Sequence, residues 1–319
     1  MPGDLSSYSD SIMCGTECLL FDIIKPMKRS ALIILVAFFV TSCSSASFSS
    51  SSASQPTAYI QNKGSDTTVN LALAWAEAYQ GQHTNVSISV TGGGSGTGIA
   101  ALINGTADIA NASRQIMDDE KKQASANGIQ PVEFVIARDA IAVMVNPENP
   151  ISRLTLQQVS DIYSGKINNW KELGGEERPI VRLSRETNSG THVYFLANVI
   201  RLGDANNKTL FSMDTLLLPS SEGIVAELRD NPNAIGYDGL GYVPKDGSVK
   251  VIALADNADK SYVLPSVQTV NDKTYPVARD LYMYTSGQPQ GAVKDYLDWI
   301  LNSPDAQVIV TKLGFVPIK

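Results

Sequence analysis

The chain has 319 residues, 43% of them hydrophobic and 18% charged, with a formal net charge of −7 at pH 7. That is enough material for one or two ordinary domains with a sizeable core. The acidic balance argues against a nucleic-acid binder, which needs a basic face, but not against a small anion held by local donors.

Near the N-terminus, Lys28 and Arg29 precede an apolar run over 31–40, followed by Thr41, Ser42 and Cys43. A basic segment, a short hydrophobic segment and small residues before a cysteine describe a secretory signal of the lipoprotein kind. The run is too short to span a bilayer comfortably. The expected organisation is an upstream extension over 1–26, a signal peptide over 27–42 and a serine-rich tether over 43–56, with Cys43 acylated. Cys14 and Cys18 in the extension are two potential metal ligands without a second pair, which is weak evidence for a metal. No cysteine follows Cys43, so the mature chain has neither disulfide nor thiol chemistry.

The body alternates strand and helix patterns. A strand over 58–61 runs into the polar loop 64–68, where Asp66 or Thr67 is the expected cap of a helix carrying Leu71, Trp75 and Tyr79 at helical spacing. A period-2 strand over 86–90 leads into the glycine run 92–98, and a short helix is expected from Ile99. A strand over 108–112 ends in Ser113 and Arg114. A helix over 118–126 closes on Asn127 and Gly128. The apolar stretch 134–145, broken by Arg138 and Asp139, is long enough to run from one lobe into another. Thr155 and Gln158 form a capping box for a helix to Tyr163, stopped by Gly165. A strand over 180–184 enters a third polar loop, 185–191, before a helix continuing to Ile200. Further strands are expected over 234–237, 249–254 and 281–285, with helices over 221–229, over 292–301 and from Pro304. This alternation predicts an α/β fold with mostly parallel sheets.

Three loops share one chemistry: 64–68, 94–98 and 189–191 each place hydroxyls and backbone donors at a helix start. Helix N-termini offer unpaired N–H groups and a partial positive charge, and glycines let the backbone approach a ligand. Gathered at the carboxyl ends of strands, they would surround a tetrahedral oxyanion, with Arg185 and Arg114 expected to supply countercharge. A surface ion pair with Asp118 is the competing reading of Arg114. Stripping an ion of water costs on the order of 20 kcal/mol in the Born limit, so one charge pair is insufficient. Hydrogen bonds to a charged group contribute about 1.5–3 kcal/mol each, and several reach the roughly −8 kcal/mol of micromolar binding. Enzyme readings are weaker. The glycine run lacks the lysine of a nucleotide loop. The two histidines, His83 and His192, sit in no metal-ligand spacing, and His192 reads as a helix-surface residue and not as a base for Ser189. No catalytic residue, metal or cofactor is expected.

The motifs KGSDTTVN (63–70), TGGGSGTGIAALINGTADIANASR (91–114), LTLQQVSDIYSGKINNW (154–170), SRETNSGTHVYF (184–195), AIGYDGLGYV (234–243) and GFVPIK (314–319) together resemble the phosphate-binding lipoproteins of the bacterial high-affinity phosphate ABC importer. The resemblance runs from about Tyr59 to the C-terminus. It implies a two-lobed periplasmic-binding-protein fold of type II-like kind, with a ligand cleft between lobes and two hinge crossovers. Lobe 1 is then 57–140 with 266–319, and lobe 2 is 141–265. It further implies a monomeric receptor on the outer side of a bacterial membrane, capturing inorganic phosphate and delivering it to a permease with its ATPase subunits. A receptor for sulfate, molybdate or tungstate, or a phosphate-ester hydrolase, is the alternative. By motif, Ser65 and Thr67 belong to the first phosphate loop, Ser95 to the second, and Arg185, Ser189, Gly190 and Thr191 to the third. Many members carry, after the serine matching Ser113, an aspartate that accepts the proton of hydrogen phosphate and so rejects sulfate. Here that position is Arg114, and the expectation is that Asp66 supplies the acceptor while Arg114 adds positive charge.

Overall fold

The computed structural model describes residues 57–318. The upstream extension, signal peptide, acylated Cys43 and serine-rich tether all lie outside the described residues.

Strand β1 (Ala58–Gly64) alternates buried Ile60, Asn62 and Gly64 with exposed Tyr59 and Gln61, as a strand with one face on a core must. It lies parallel between β2 (Val86–Thr91) and β3 (Ile109–Ala112). The crossovers are α1 (Asp66–Gln82) and α2 (Ser95–Ile103), which puts the starts of both helices at the carboxyl end of β1 and β2. The cap of α1 is Ser65, one residue before Asp66 and two before Thr67, the expected caps, and its side chain makes no capping bond. Helix α2 starts at Ser95 and not Ile99, because Gly94 takes a positive φ of 91° as its cap and the glycines behind it are helical. The 14-residue β4 (Val132–Val145) follows α3 (Asp118–Ala126).

Strand β4 joins the two halves of the molecule. Its first part pairs antiparallel with β11 (Ala278–Thr285), which also pairs antiparallel with β3. Its second part pairs antiparallel with β8 (Ala234–Gly239). Beyond β8 lie β6 (Val181–Arg185) and the edge strand β7 (Leu216–Leu218), both parallel. The continuous order is β2-β1-β3-β11-β4-β8-β6-β7, with the short β9 (Lys250–Val251) on β4. A separate parallel pair joins β5 (Arg153–Thr155) to β10 (Ala253–Ala255), so the expected strand over 249–254 is divided between two sheets. Parallel pairing therefore holds on both flanks, whereas β4 and β11 make the centre antiparallel.

The fold is α/β and two-lobed. One core gathers Ile60, Leu71, Trp75, Ile136, Leu281, Tyr296 and Phe315, and a second gathers Val143, Tyr163, Trp170, Phe195 and Tyr237. Strand β4 gives Ile136 to the first and Ile141, Val143 and Val145 to the second. That explains its long apolar run, interrupted by Arg138 and Asp139, since a strand buried on both faces cannot alternate. Each such side chain, fully buried, contributes about 1.5–3 kcal/mol. The fully buried Trp75 pins α1 to α9 (Pro304–Lys312) by an Nε1–H bond of 2.9 Å to the Ala306 carbonyl. In the second half, α4 (Leu156–Tyr163) begins with the predicted capping box. Thr155 Oγ1 accepts from Gln158 N (3.1 Å) and Gln158 Oε1 accepts from Thr155 N (2.8 Å). Helix α5 (Gly190–Phe195) passes into a π-helical turn over Leu196–Ile200, followed in the chain by β7 and α6 (Ser221–Asp230), and later by α7 (Val267–Asn271) and α8 (Gly291–Asn302).

Candidate functional site

The three predicted loops meet. Thr67 Oγ1 of the first lies 2.7 Å from Thr191 Oγ1 of the third. Ser95 Oγ accepts from Ser113 N (3.0 Å) and lies 3.3 Å from Ser113 Oγ. Gly96 N donates to the Asn188 carbonyl (3.0 Å), and Asn188 Nδ2 donates to the Gly93 carbonyl (3.0 Å). Gly190 sits so close to the serines that a Cβ there would stand 2.3 Å from Ser95 Oγ and 2.6 Å from Ser113 Oγ. Ser65, Thr67, Ser95, Ser113, Ser189 and Thr191 are all buried. The chain thus collects hydroxyls and helix starts from α1, α2 and α5 at one buried point.

Local structure leaves donors available there. Neither α1 nor α2 has a side chain capping its first turn, so no side chain takes up the N–H groups that a helix start leaves unpaired, although the Asn188 carbonyl takes Gly96 N. Ser189 differs: its Oγ accepts from Thr191 N at 3.2 Å.

The arginines behave otherwise than the sequence predicts. Arg185, 1% exposed, donates to Asp66 Oδ2 (2.7 Å), Asp238 Oδ2 (3.3 Å), Ser221 Oγ (2.7 Å) and the Pro219 carbonyl (2.9 Å). Arg114 is forked onto Glu120 at 2.7 and 2.8 Å, not paired with Asp118, and it also donates to the Gln115 carbonyl. A third arginine, Arg279, forms a buried pair with Asp139 at 3.0 Å. Three guanidiniums thus face four carboxylates, and the expected surplus of positive charge is absent. The Nε–H groups of Arg114 and Arg185 are buried and carry no hydrogen bond, so each arginine retains a donor although its charge is matched.

Asp66 bridges loops. Its Oδ1 accepts from Gly93 N (2.8 Å) and its Oδ2 from Arg185, while its backbone carbonyl accepts from Tyr242 Oη. An ionised carboxylate has about four acceptor positions, so capacity remains for a further donor. Burial, reinforced by Glu222, Asp238 and Asp66, pushes the Tyr242 phenol far above its ordinary range and keeps it a neutral donor. Burial also raises the Asp139 carboxyl, with Arg279 pulling the other way.

His192 is a correction. It is buried, not on a helix surface, because α5 turns its first residues inward over β6. Its Nδ1 lies 3.0 Å from Ser184 Oγ, itself 2.6 Å from Tyr237 Oη, and its ring stacks on Phe211. Burial lowers its proton affinity. Ser189 is occupied with capping, so the pair forms no nucleophile and base.

A family model described as a PBP superfamily domain matches residues 50–304. The phosphate-binding protein PstS of Pseudomonas aeruginosa is 31% identical over 276 residues, 81% of this chain and 83% of that protein. The chain belongs to this superfamily, among the phosphate-binding proteins. SphX of Synechococcus elongatus, another relative, is 30% identical over 92% of this chain and 87% of its own. A crystal structure from Clostridium perfringens, described as a phosphate ABC transporter substrate-binding protein with bound phosphate, superposes with a TM-score of 0.72 at 32% identity. It covers 82% of this chain and all of that one. Against this PBP-superfamily background, the sequence reading missed Asp139, Asn188, Asp238 and Arg279. Asp139 alone carried a signal, a carboxylate set inside an apolar strand.

Proposed function

We propose that this protein captures inorganic phosphate between its two lobes and delivers it to the membrane permease of an ABC importer. It is a receptor and performs no chemistry. Sequence relatives named as phosphate-binding proteins and a similar structure with bound phosphate support the ligand class. One observation carries the choice of anion: donor loops surround a point where carboxylates outnumber guanidiniums. Such a site favours an oxyanion that brings its own proton. Hydrogen phosphate can donate its O–H to a carboxylate, whereas sulfate has no proton and meets only repulsion. Ser65, Thr67, Ser95, Ser113, Ser189, Gly190 and Thr191 are the neutral donor set, Arg185 and Arg114 add Nε–H groups, and Asp66 is the acceptor. Six to ten hydrogen bonds at about 1.5–3 kcal/mol each offset the desolvation of a dianion far enough for micromolar binding, near −8 kcal/mol.

Lobe 1 is assigned to 57–140 with 266–319 and lobe 2 to 141–265, with β4 as one crossover. Closure of the lobes on phosphate is the event a permease and its ATPase subunits read. The signal pattern over 27–42 and Cys43 support a receptor held outside the cytoplasm on a lipid anchor, and the receptor acts as a monomer. Labelling with a fatty-acid analogue that persists in Cys43→Ala would refute the anchor.

The test is calorimetric titration with phosphate, arsenate, sulfate and molybdate. Phosphate and arsenate are expected to bind with sulfate at least 100-fold weaker, a gap of about 2.7 kcal/mol. Asp66→Asn should weaken phosphate more than sulfate, because both anions lose the Asp66–Arg185 bridge but only phosphate loses a proton acceptor. Equal losses for both would remove Asp66 from the discrimination, and tighter binding of sulfate than phosphate would overturn the phosphate assignment.

A further inference from the structure

Arg279 belongs to none of the three loops, yet it links one of them, through Thr191, to Ser113 at the end of β3. It stands opposite Asp139 in the antiparallel register of β11 and β4, one pair before β4 leaves β11 and joins β8 at Ile141. Asp139 is fully buried and Arg279 is 6% exposed. Nε and Nη2 of Arg279 both donate to Asp139 Oδ2, at 3.3 and 3.0 Å, while Asp139 Oδ1 accepts from Leu240 N at 3.0 Å. Held this way, the guanidinium sends Nη1 to the Ser113 carbonyl (2.9 Å) and Nη2 to Thr191 Oγ1 (2.9 Å). The Tyr194 ring covers it at 5.6 Å. Gly239 makes room: a Cβ there would stand 2.7 Å from Asp139 Oδ2 and 2.9 Å from Thr67 Cγ2.

We infer that Arg279, oriented by Asp139, is a positioning residue of the anion site: it ties Ser113 to Thr191 and occupies a lone pair of the Thr191 hydroxyl, so that the Thr67–Thr191 pair turns its free proton and not that lone pair toward an oxyanion. A guanidinium only donates, so Thr191 Oγ1 must accept from it. The Thr67 and Thr191 hydroxyls carry two protons whether or not Arg279 is there. One bridges their 2.7 Å contact, and the other is left to point at an oxyanion, whichever hydroxyl carries it. Without Arg279 nothing prevents a lone pair from facing the anion. Stability does not account for the pair, since a buried ion pair is commonly matched or bettered by apolar residues of similar volume. Its location at the strand crossing means that the Ser113–Arg279–Thr191 link is complete only when the loops have come together.

The inference rests on the phosphate reading, and one set of titrations separates the two. Wild type, Arg279→Met/Asp139→Leu, Arg279→Lys, Thr191→Val and the triple combination are titrated with inorganic phosphate, with thermal unfolding followed alongside. The paired apolar variant should keep its unfolding midpoint and bind phosphate about 10- to 100-fold more weakly, the range of one or two charge-assisted hydrogen bonds. Arg279→Lys, which keeps the charge but not the fork, should lose about 10-fold and serves if the paired variant does not fold. In the Thr191→Val background the paired change should cost much less than it does alone, because both act through one hydroxyl. A wild type that ignores phosphate overturns the receptor reading, and this inference falls with it. A wild type that binds, with Arg279 variants that bind equally well or with losses that simply multiply, overturns the positioning role alone.

Discussion

At the scale of single residues, Gly190 and His192 are neighbours with opposite duties. Gly190 has no Cβ because two serine hydroxyls occupy that space. Gly190→Ala should therefore obstruct the approach of the third loop to the second and weaken phosphate by about 10- to 100-fold, the range expected for one overpacked methyl. Calorimetry measures the affinity, and thermal unfolding should be nearly unchanged because the clash can be relieved by opening the loops. His192 is buried and neutral, with its affinity for a proton lowered from the ordinary 6.5. Between the lowered value and about 6.5 the unfolded chain binds more protons than the folded one. Stability should then be full above about pH 6.5 and fall as the pH drops through that window. Urea midpoints of wild type and His192→Gln at pH 7.5 and 5 test this. The wild type should lose more on acidification, and parallel losses would exclude His192 as the cause.

At the scale of elements, legibility followed local rules. The capping box at Thr155, the proline start of α9 and the 3.6-residue pattern of α1 are set by neighbours in the chain and stand where the sequence placed them. Thr155→Ala should cost about 1 kcal/mol of stability by urea denaturation with no change in phosphate affinity, since the cap lies outside the donor loops. Elements set by distant partners were not legible. Strand β7 is three leucines on a sheet edge that only β6 defines, β5 exists through β10, and the start of α2 inside a glycine run depends on the Asn188 carbonyl holding Gly96 N. The antiparallel centre was equally hidden, because the direction of β11 relative to β4 depends on a return of the chain from far along the sequence.

At the scale of the whole molecule, the site's charges are settled internally. Asp66, Asp238, Glu120 and Asp139 match Arg185, Arg114 and Arg279 at buried or half-buried positions, and the chain as a whole carries −7. Attraction over distance is thus not what brings phosphate in. Buried pairs are little screened, so the dissociation constant should change by less than about 3-fold between roughly 0.05 and 0.5 M sodium chloride. A fall in affinity of tenfold or more over that range would point to exposed positive charge as the source of binding. Phosphate should also shrink the particle in small-angle scattering, because the bonds from Thr67 to Thr191 and from Asp66 to Arg185 join opposite sides of the strand crossing.

The sequence by itself determined the α/β alternation, the three donor loops and the serine, threonine and glycine residues within them. Helix starts and tight turns are written in adjacent residues. Only the tertiary structure decided what the charges do. Arg114 turned to Glu120, Arg185 took two aspartates, and Asp139 met Arg279 across two strands about 140 positions apart in the chain. A charge buried in a protein must find its partner within a few ångströms, and distance in space is what a linear sequence does not record.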